Sequence, residues 1–256
     1  MECRAAFPSD TIERGFANRP TEPRCAEILR KKAFMTDVSR SCIDCATGGC
    51  KQPEQMYQPD FCPSAMLSPG ERDELAAAYA DLDLQLIQAA NEVSARCGRE
   101  GLCRLEEIMD FARRLGYRKI GIANCGAMQA EALTTAKILR LHGYEVFGVS
   151  CKYGSVTHEQ LGIPEGGLAK PEATTCNPLA QAERLNAAGT ELNVVMGLCV
   201  GHDSIFVKHS DAPCTTFVVK DRMLGNNPVA VLHTCNVTAH RWSRLKKEDE
   251  SLSCPK

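Results

Sequence analysis

Three short apolar runs in the middle of the chain each hand over to a cysteine. Ile120-Gly-Ile-Ala123 leads to Cys125, and Val146-Phe-Gly-Val149 leads to Cys151. Leu192-Asn-Val-Val-Met196 leads into Gly197-Leu-Cys-Val-Gly-His-Asp203. Short continuous apolar runs separated by helix-length segments read as buried parallel strands. Ala127 to His142 has helical spacing through Met128, Ala132, Ala136 and Leu139, with Gly143 as its C-cap. Asn177-Pro178 starts another helix that ends at Gly189. Strand, helix, strand, helix, strand predicts an α/β fold: a mostly parallel, Rossmann-like three-layer sheet with right-handed crossovers. Further strands are expected at Thr215 to Val219 and Val229 to Leu232. The nine residues between Val219 and Val229 are short for a parallel crossover, so an antiparallel last strand fits as well. No GxGxxG or GxxxxGK[ST] follows the first strand, so dinucleotide and P-loop readings have little support.

Two helices lead into this pattern. Ser68-Pro69-Gly70-Glu71 is a capping box with proline at the first helical position. Leu75, Tyr79, Leu82, Leu86, Ala89 and Val93 then predict one long helix to about Gly98. Leu105, Ile108, Met109, Ala112 and Leu115 mark a second, stopping at Gly116. The expected organisation is a polar extension over 1–41, a cysteine-rich module over 42–67, the α/β domain over 68–238 and a charged tail over 239–256. Within the extension, Pro8, Pro20 and Pro23 leave room for one short helix, Cys25 to Ala33.

A net charge of -2 gives no global basic field for nucleic acid or anionic lipid. No apolar run approaches the roughly 18 residues of a membrane span. The first residues lack an apolar signal core, so a cytoplasmic protein is expected. Against that background the 15 cysteines stand out. An odd count in a reducing compartment points to metal ligands or redox groups rather than a disulfide framework. Cys97, Cys103, Cys214 and Cys235 lack a mutual spacing and are expected to be small buried hydrophobes. Cys3, Cys25 and Cys254, in polar end segments, are expected to be exposed thiols.

The first cysteine motif is Cys42-x2-Cys45-x4-Cys50-x11-Cys62-Pro63, interrupted by Gly48, Gly49, Pro53 and Pro59. A loop this irregular needs a source of order other than a hydrophobic core, and a centre bound by four thiolates would supply it. Zinc ribbons use two close cysteine pairs, and only Cys42 and Cys45 form one here. One close pair, spaced further cysteines and a final Cys-Pro are nearer to [4Fe–4S] ligation, with zinc as the alternative.

The second set is Cys125, Cys151 and Cys199, delivered to the carboxyl ends of the strands, with Cys176 just before a helix. Ligands sit in that crevice in open α/β sheets. Cys125 and Cys176 precede helix starts, where free N–H groups are expected to lower a thiol pKa. Four converging thiols make a closed site for a cluster, and three leave an open position for a substrate atom. His202 and Asp203 beside it are candidates for an acid–base pair. The plainer reading is that Asp203 only caps the helix Ser204–His209 and His202 braces the loop. Lys208, Lys220, Asp221 and Arg222 lie near strand ends and can hold an anion, or can be ordinary solvated charges. The loop 152–173, rich in glycine and proline, is long enough to cover the pocket.

From Cys42 to about Thr234 the chain resembles an uncharacterised bacterial and archaeal family of cysteine-rich predicted metal-binding proteins, a domain of unknown function. The resemblance rests on the first cysteine motif, Lys119-Ile-Gly-Ile-Ala-Asn-Cys125, Cys176-Asn-Pro178 and Gly197 to Asp203. It continues through Lys208-His-Ser-Asp-Ala-Pro213 and Val219-Lys-Asp-Arg222. The chain looks different at Cys214, where the family is apolar, and at Asn226, where a histidine is usual. The resemblance implies metal binding without a mechanism. The expectation is therefore an iron–sulfur protein with one or two [4Fe–4S] clusters. Its work would be redox or sulfur-related chemistry on a small molecule, or electron transfer to a redox partner protein. The rival is a zinc-stabilised, non-catalytic binding module.

Overall fold

The computed structural model describes residues 40–163 and 170–233. The expected extension, its short helix, Cys3 and Cys25, and Cys235, Cys254 and the charged tail lie outside these residues. The described chain divides into two compact units at Asn91/Glu92.

In the unit ending at Asn91, the described residues open with two single turns of 3-10 helix, Cys42–Asp44 and Gly49–Lys51. The Ser68 capping box then opens α1, Pro69–Ala77, with the Ser68 hydroxyl accepting from Glu71 N–H at 3.3 Å. Glu71 Oε2 accepts from Ser68 N–H at 2.8 Å in return. The expected single long helix is two. The chain leaves helical geometry after Ala77 and restarts as α2, Asp81–Glu100. Asp81 has φ 48, a left-handed conformation that Asp tolerates. Asp81 and Asp83 then occupy the first turn of α2, where the helix dipole favours negative charge. The apolar spacing across Leu75, Tyr79 and Leu82 concealed that start signal, and Tyr79 is half-exposed at the break.

The second unit holds α3, Arg104–Arg114, and the α/β sheet. Its strands are β1 Lys119–Asn124, β2 Glu145–Ser150, β3 Leu192–Met196 and β4 Cys214–Val218, all parallel in the order β2-β1-β3-β4. Four helices accompany them: α4 Gln129–Leu141, α5 Pro178–Ala188, α6 His202–His209 and α7 Ala230–His233. The period-2 alternation of the strands gives the sheet two apolar faces. One face carries Ile120, Ile122, Leu192, Val194 and Met196 and packs against Ile108 and Ala112 of α3 and Ala132, Ala136 and Leu139 of α4. The other carries Ala123, Val149 and Val195 against Ala182 and Leu185 of α5 and Phe206 of α6. Each fully buried large side chain among these contributes roughly 1.5–3 kcal/mol. Gly121 is required by one close approach: a Cβ there would meet Asn193 Oδ1 at 1.9 Å.

The expected last strand, Val229 to Leu232, is instead the short helix α7. Its apolar residues suit either state, but Asn227-Pro228 decides. Proline lacks the N–H a ladder needs and suits the first turn of a helix. Ala230 N–H donates to Asn227 O at 3.1 Å and Leu232 N–H to Val229 O at 3.0 Å. Both the strand and its antiparallel pairing therefore fall away.

The chain winds from β1 outward to β2, then returns across β1 to β3. The direction of winding thus reverses between β1 and β3, and that is where an open α/β sheet forms its ligand crevice.

Candidate thiol site at the sheet edge

The strand ends are level. Asn124 pairs with Ser150 on one side and with Met196 on the other. The next residue on each strand is Cys125, Cys151 or Gly197. The ladder continues one step further, with Cys125 N–H donating to Met196 O at 3.0 Å and Cys151 N–H to Asn124 O at 2.9 Å. Strand parity puts both cysteines on the face covered by α5, where they are buried within the apolar cluster of that face.

Cys176 reaches the same place from the other direction. The loop from Cys151 closes on itself through a bridge between Thr157 and Thr174. Thr175 N–H donates to Val156 O at 2.8 Å, and Asn177 N–H donates to Cys151 O at 2.8 Å. The described part of this loop therefore pins its own two ends, bringing Cys176 beside Cys151. Asn177 Oδ1 then caps α5 by accepting from Ala180 N–H at 3.1 Å.

The expected lowering of the Cys176 pKa does not occur. Burial pushes this thiol up, and the hydrogen bond to Cys151 and the negative charges of Cys151 and Cys199 push it further, to about 11, against a smaller pull from Lys152. The helix start lies one residue too far along: its free N–H groups are served by Asn177, not by the sulfur. At the other helix start, the Gly126 N–H donates to Cys151 Sγ at 3.3 Å, so the neighbouring strand's thiol takes the donor.

Cys199 follows β3 on a turn that needs Gly197, whose φ is +64. It is half-buried, and Arg222 Nη2 donates to its sulfur at 3.2 Å. That guanidinium's pKa is raised, first by this hydrogen bond and the Cys199 charge, then by Cys125 and Cys176. Arg222 thus senses three of the four thiols. Sequence reading named Arg222 only as a generic anion holder; its contact with Cys199 depends on how the chain beyond β4 turns back. That turn is made by Asp221, whose Oδ1 accepts from Met223 and Leu224 N–H groups at 2.9 Å. Asn226 closes it, with its N–H donating to Asp221 O at 2.8 Å and Nδ2 lying 3.4 Å from Met128 Sδ.

His202 is half-buried at the start of α6, its N–H donating to Cys199 O at 2.9 Å. Asp203 does not cap the helix as expected: α6 begins at His202 with Gly201 as its N-cap, and Asp203 lies in the first turn, its Oδ1 accepting from Ser204 N–H at 2.8 Å.

In the unit ending at Asn91, Cys62 is buried, Cys45 half-buried, and Cys42 and Cys50 exposed. The Cys45 pKa is lowered by the Thr47 hydroxyl, then by the Gly48 and Thr47 backbone groups. Cys50 lines a cavity of about 250 Å³ with Pro53, Gln58, Ser64, Leu67 and Arg72. Of the cysteines expected to be small buried hydrophobes, Cys103 is exposed and begins α3, while Cys97 and Cys214 are half-buried.

Among the described residues, no three His, Cys, Asp or Glu side chains are already disposed to hold a metal ion. The sheet-edge set nevertheless suits a soft metal in chemistry, because its donors are four sulfurs.

A family model described as "Protein of unknown function (DUF1847)" matches residues 62–217. An uncharacterized protein of Methanocaldococcus jannaschii is 46% identical over 131 residues, covering 51% of this chain and 67% of its own. No solved structure matches. No helix among the described residues is long and apolar enough to cross a membrane.

Proposed function

The chain belongs to the DUF1847 family, whose description names no reaction, and we propose that it is a metal-binding protein with its working centre at the sheet edge. The observation that carries this reading is the delivery of Cys125 and Cys151 to adjacent strand ends where the winding reverses, with Cys176 beside Cys151 and Cys199 held by Arg222. Burial first keeps the proton on Cys176, and the hydrogen bond to Cys151 and repulsion from charge on Cys151 and Cys199 add to it. A bound cation removes that repulsion and releases the proton, so metal affinity here rises with pH. Iron–sulfur ligation suits four thiols better than a hard cation does. The N–H group of Gly126 on Cys151 and the guanidinium on Cys199 are the contacts that tune such a centre. Redox chemistry on a small molecule, or electron transfer to a partner, is the function this supports. His202, whose backbone N–H donates to Cys199 O, is the candidate proton donor, with Asp203 beside it in the first turn of α6.

A second, zinc or iron–sulfur, centre on Cys42, Cys45, Cys50 and Cys62 is favoured by one observation. The backbone and hydroxyl groups of Thr47 and Gly48 already stabilise the Cys45 thiolate. Anaerobic purification followed by iron, sulfide and zinc analysis tests both. A brown protein that loses iron and sulfide on Cys199→Ser supports the sheet-edge reading. Colourless protein with zinc that only Cys45→Ser removes would establish the zinc-stabilised module instead.

A further inference from the structure

Gln181 is fully buried in α5, one helical turn beyond its cap. Its Nε2 donates to Val149 O at 2.7 Å and to Asn124 O at 3.2 Å. Its Oε1 is buried without a hydrogen-bond partner among the described residues. A buried amide oxygen left unpaired costs about 1–3 kcal/mol, so leucine or methionine would pack this position at lower cost. What neither can do is hold two carbonyls at once. Asn124 O belongs to the residue before Cys125, and it also accepts from Cys151 N–H at 2.9 Å. Val149 O lies two residues before Cys151. The helix that carries Gln181 starts two residues after Cys176. One side chain therefore links the three segments that deliver Cys125, Cys151 and Cys176.

We infer that Gln181 is the positioning residue of the sheet-edge thiol centre, fixing α5 to the ends of β1 and β2 so that three sulfurs face one point. The inference rests on the reading of that centre as a metal site. Both carbonyl contacts are made in the interior, so the spacing they set is shielded from competing water. The amide touches no sulfur in this role. It acts through the backbone, and its loss loosens geometry without removing a ligand.

The test uses the full-length chain with Gln181→Met, which keeps the shape and loses both bonds, and Gln181→Asn, which keeps the amide and shortens its reach. If Gln181→Met does not fold, Gln181→Asn carries the comparison. Zn²⁺ alone is titrated into metal-free protein, and protection of each cysteine from alkylation is read by mass spectrometry. Protection of Cys125, Cys151 and Cys176 should need about 10–100-fold more Zn²⁺ in the variants, the usual cost of losing an outer contact. Cys42, Cys45, Cys50 and Cys62 serve as the internal control and should not change. The second readout needs no metal. In glutathione buffers two thiols and one oxidised glutathione give the Cys151–Cys176 disulfide and two reduced glutathiones. Its equilibrium constant should fall about tenfold in the variants. A purely structural glutamine would lower stability while leaving this constant, measured on folded protein, unchanged. Equal constants in wild type and variants, or no Cys151–Cys176 disulfide in the wild type, overturns the inference. Absence of Zn²⁺ protection in the wild type, with the glutathione constant still shifted, refutes the metal reading and leaves the positioning role standing.

Discussion

Gly197→Ala tests whether the turn that presents Cys199 is set by close packing. Gly197 has φ +64, and a Cβ placed there lies 2.8 Å from Met128 Cγ. Two costs add. An L-residue in the left-handed region costs roughly 1–2 kcal/mol. Forcing a methyl into a filled space costs about 1–3 kcal/mol, toward the upper part when the neighbour cannot move. Met128 is buried and sits just after Cys125, so its room to yield is small. The Gly197 N–H also donates to Val218 O at 2.7 Å, which fixes the backbone against a shift. The expected destabilisation is about 2–5 kcal/mol, read from urea unfolding followed by circular dichroism. Gly201 supplies the comparison: its φ is +85, but nothing lies within 4 Å of a Cβ there. Gly201→Ala should therefore cost only the backbone part, about 1–2 kcal/mol. In a Met128→Ala background the Gly197→Ala cost should fall to that of Gly201→Ala, which makes the contact a measurable coupling. Equal costs for the two glycines, or an undiminished Gly197 cost without the Met128 side chain, would refute the packing argument.

Asp110 is buried and bonded to Arg96 Nη1 at 3.1 Å, Arg114 Nε at 3.1 Å and Arg113. Burial alone would raise its pKa, but the Arg114 hydrogen bond and the three positive charges outweigh it, and the pKa is lowered. Its contribution is therefore complete above the ordinary carboxylate pKa and lost as pH falls through the folded value. Asp110→Asn should cost about 2–4 kcal/mol at pH 7, below the full price of a broken buried pair because the arginines stay partly solvated, and the penalty should shrink below about pH 4. A penalty independent of pH in unfolding measurements would count against ionisation as its source. Phe206, fully buried, anchors α6 to the α5 face; Phe206→Ala should cost about 3–5 kcal/mol by urea unfolding, and a loss under 1 kcal/mol would show α6 to be held by something else.

The elements were legible where a local signal and a period agreed. The Ser68 box, Asn177-Pro178 and the glycines at 116, 143 and 189 mark helix ends by backbone chemistry that acts within a few residues. The apolar runs at Ile120 and Leu192 are buried on both faces and their composition marks them as inner strands, while the Val146 run, of the same composition, forms the half-exposed edge strand β2. From strand, helix, strand follows the parallel sheet, and from the sheet follows that Cys125, Cys151 and Cys199 emerge at one edge. Where period and cap disagreed, the period misled: Leu75 to Val93 kept helical spacing across the restart at Asp81, and Val229 to Leu232 fitted a strand until Pro228 removed its donor. The placement of Cys125, Cys151 and Cys199 at that edge was therefore legible in the sequence, because each lies within three residues of a strand end, whereas that of Cys176 depends on how the loop after Cys151 closes. The electrostatics of these thiols were not. Cys176 stands next to a helix start in sequence, yet its pKa follows burial and the company of Cys151 and Cys199, neither of which is near it along the chain. Arg222 meets Cys199 only after the turn through Asp221 and Asn226 folds back, and Gln181 meets Asn124 and Val149 only once α5 lies on the sheet. A hydrogen bond or a charge acts over a few ångströms in space, so separations of 23 to 57 residues hide such partners until tertiary packing brings them together.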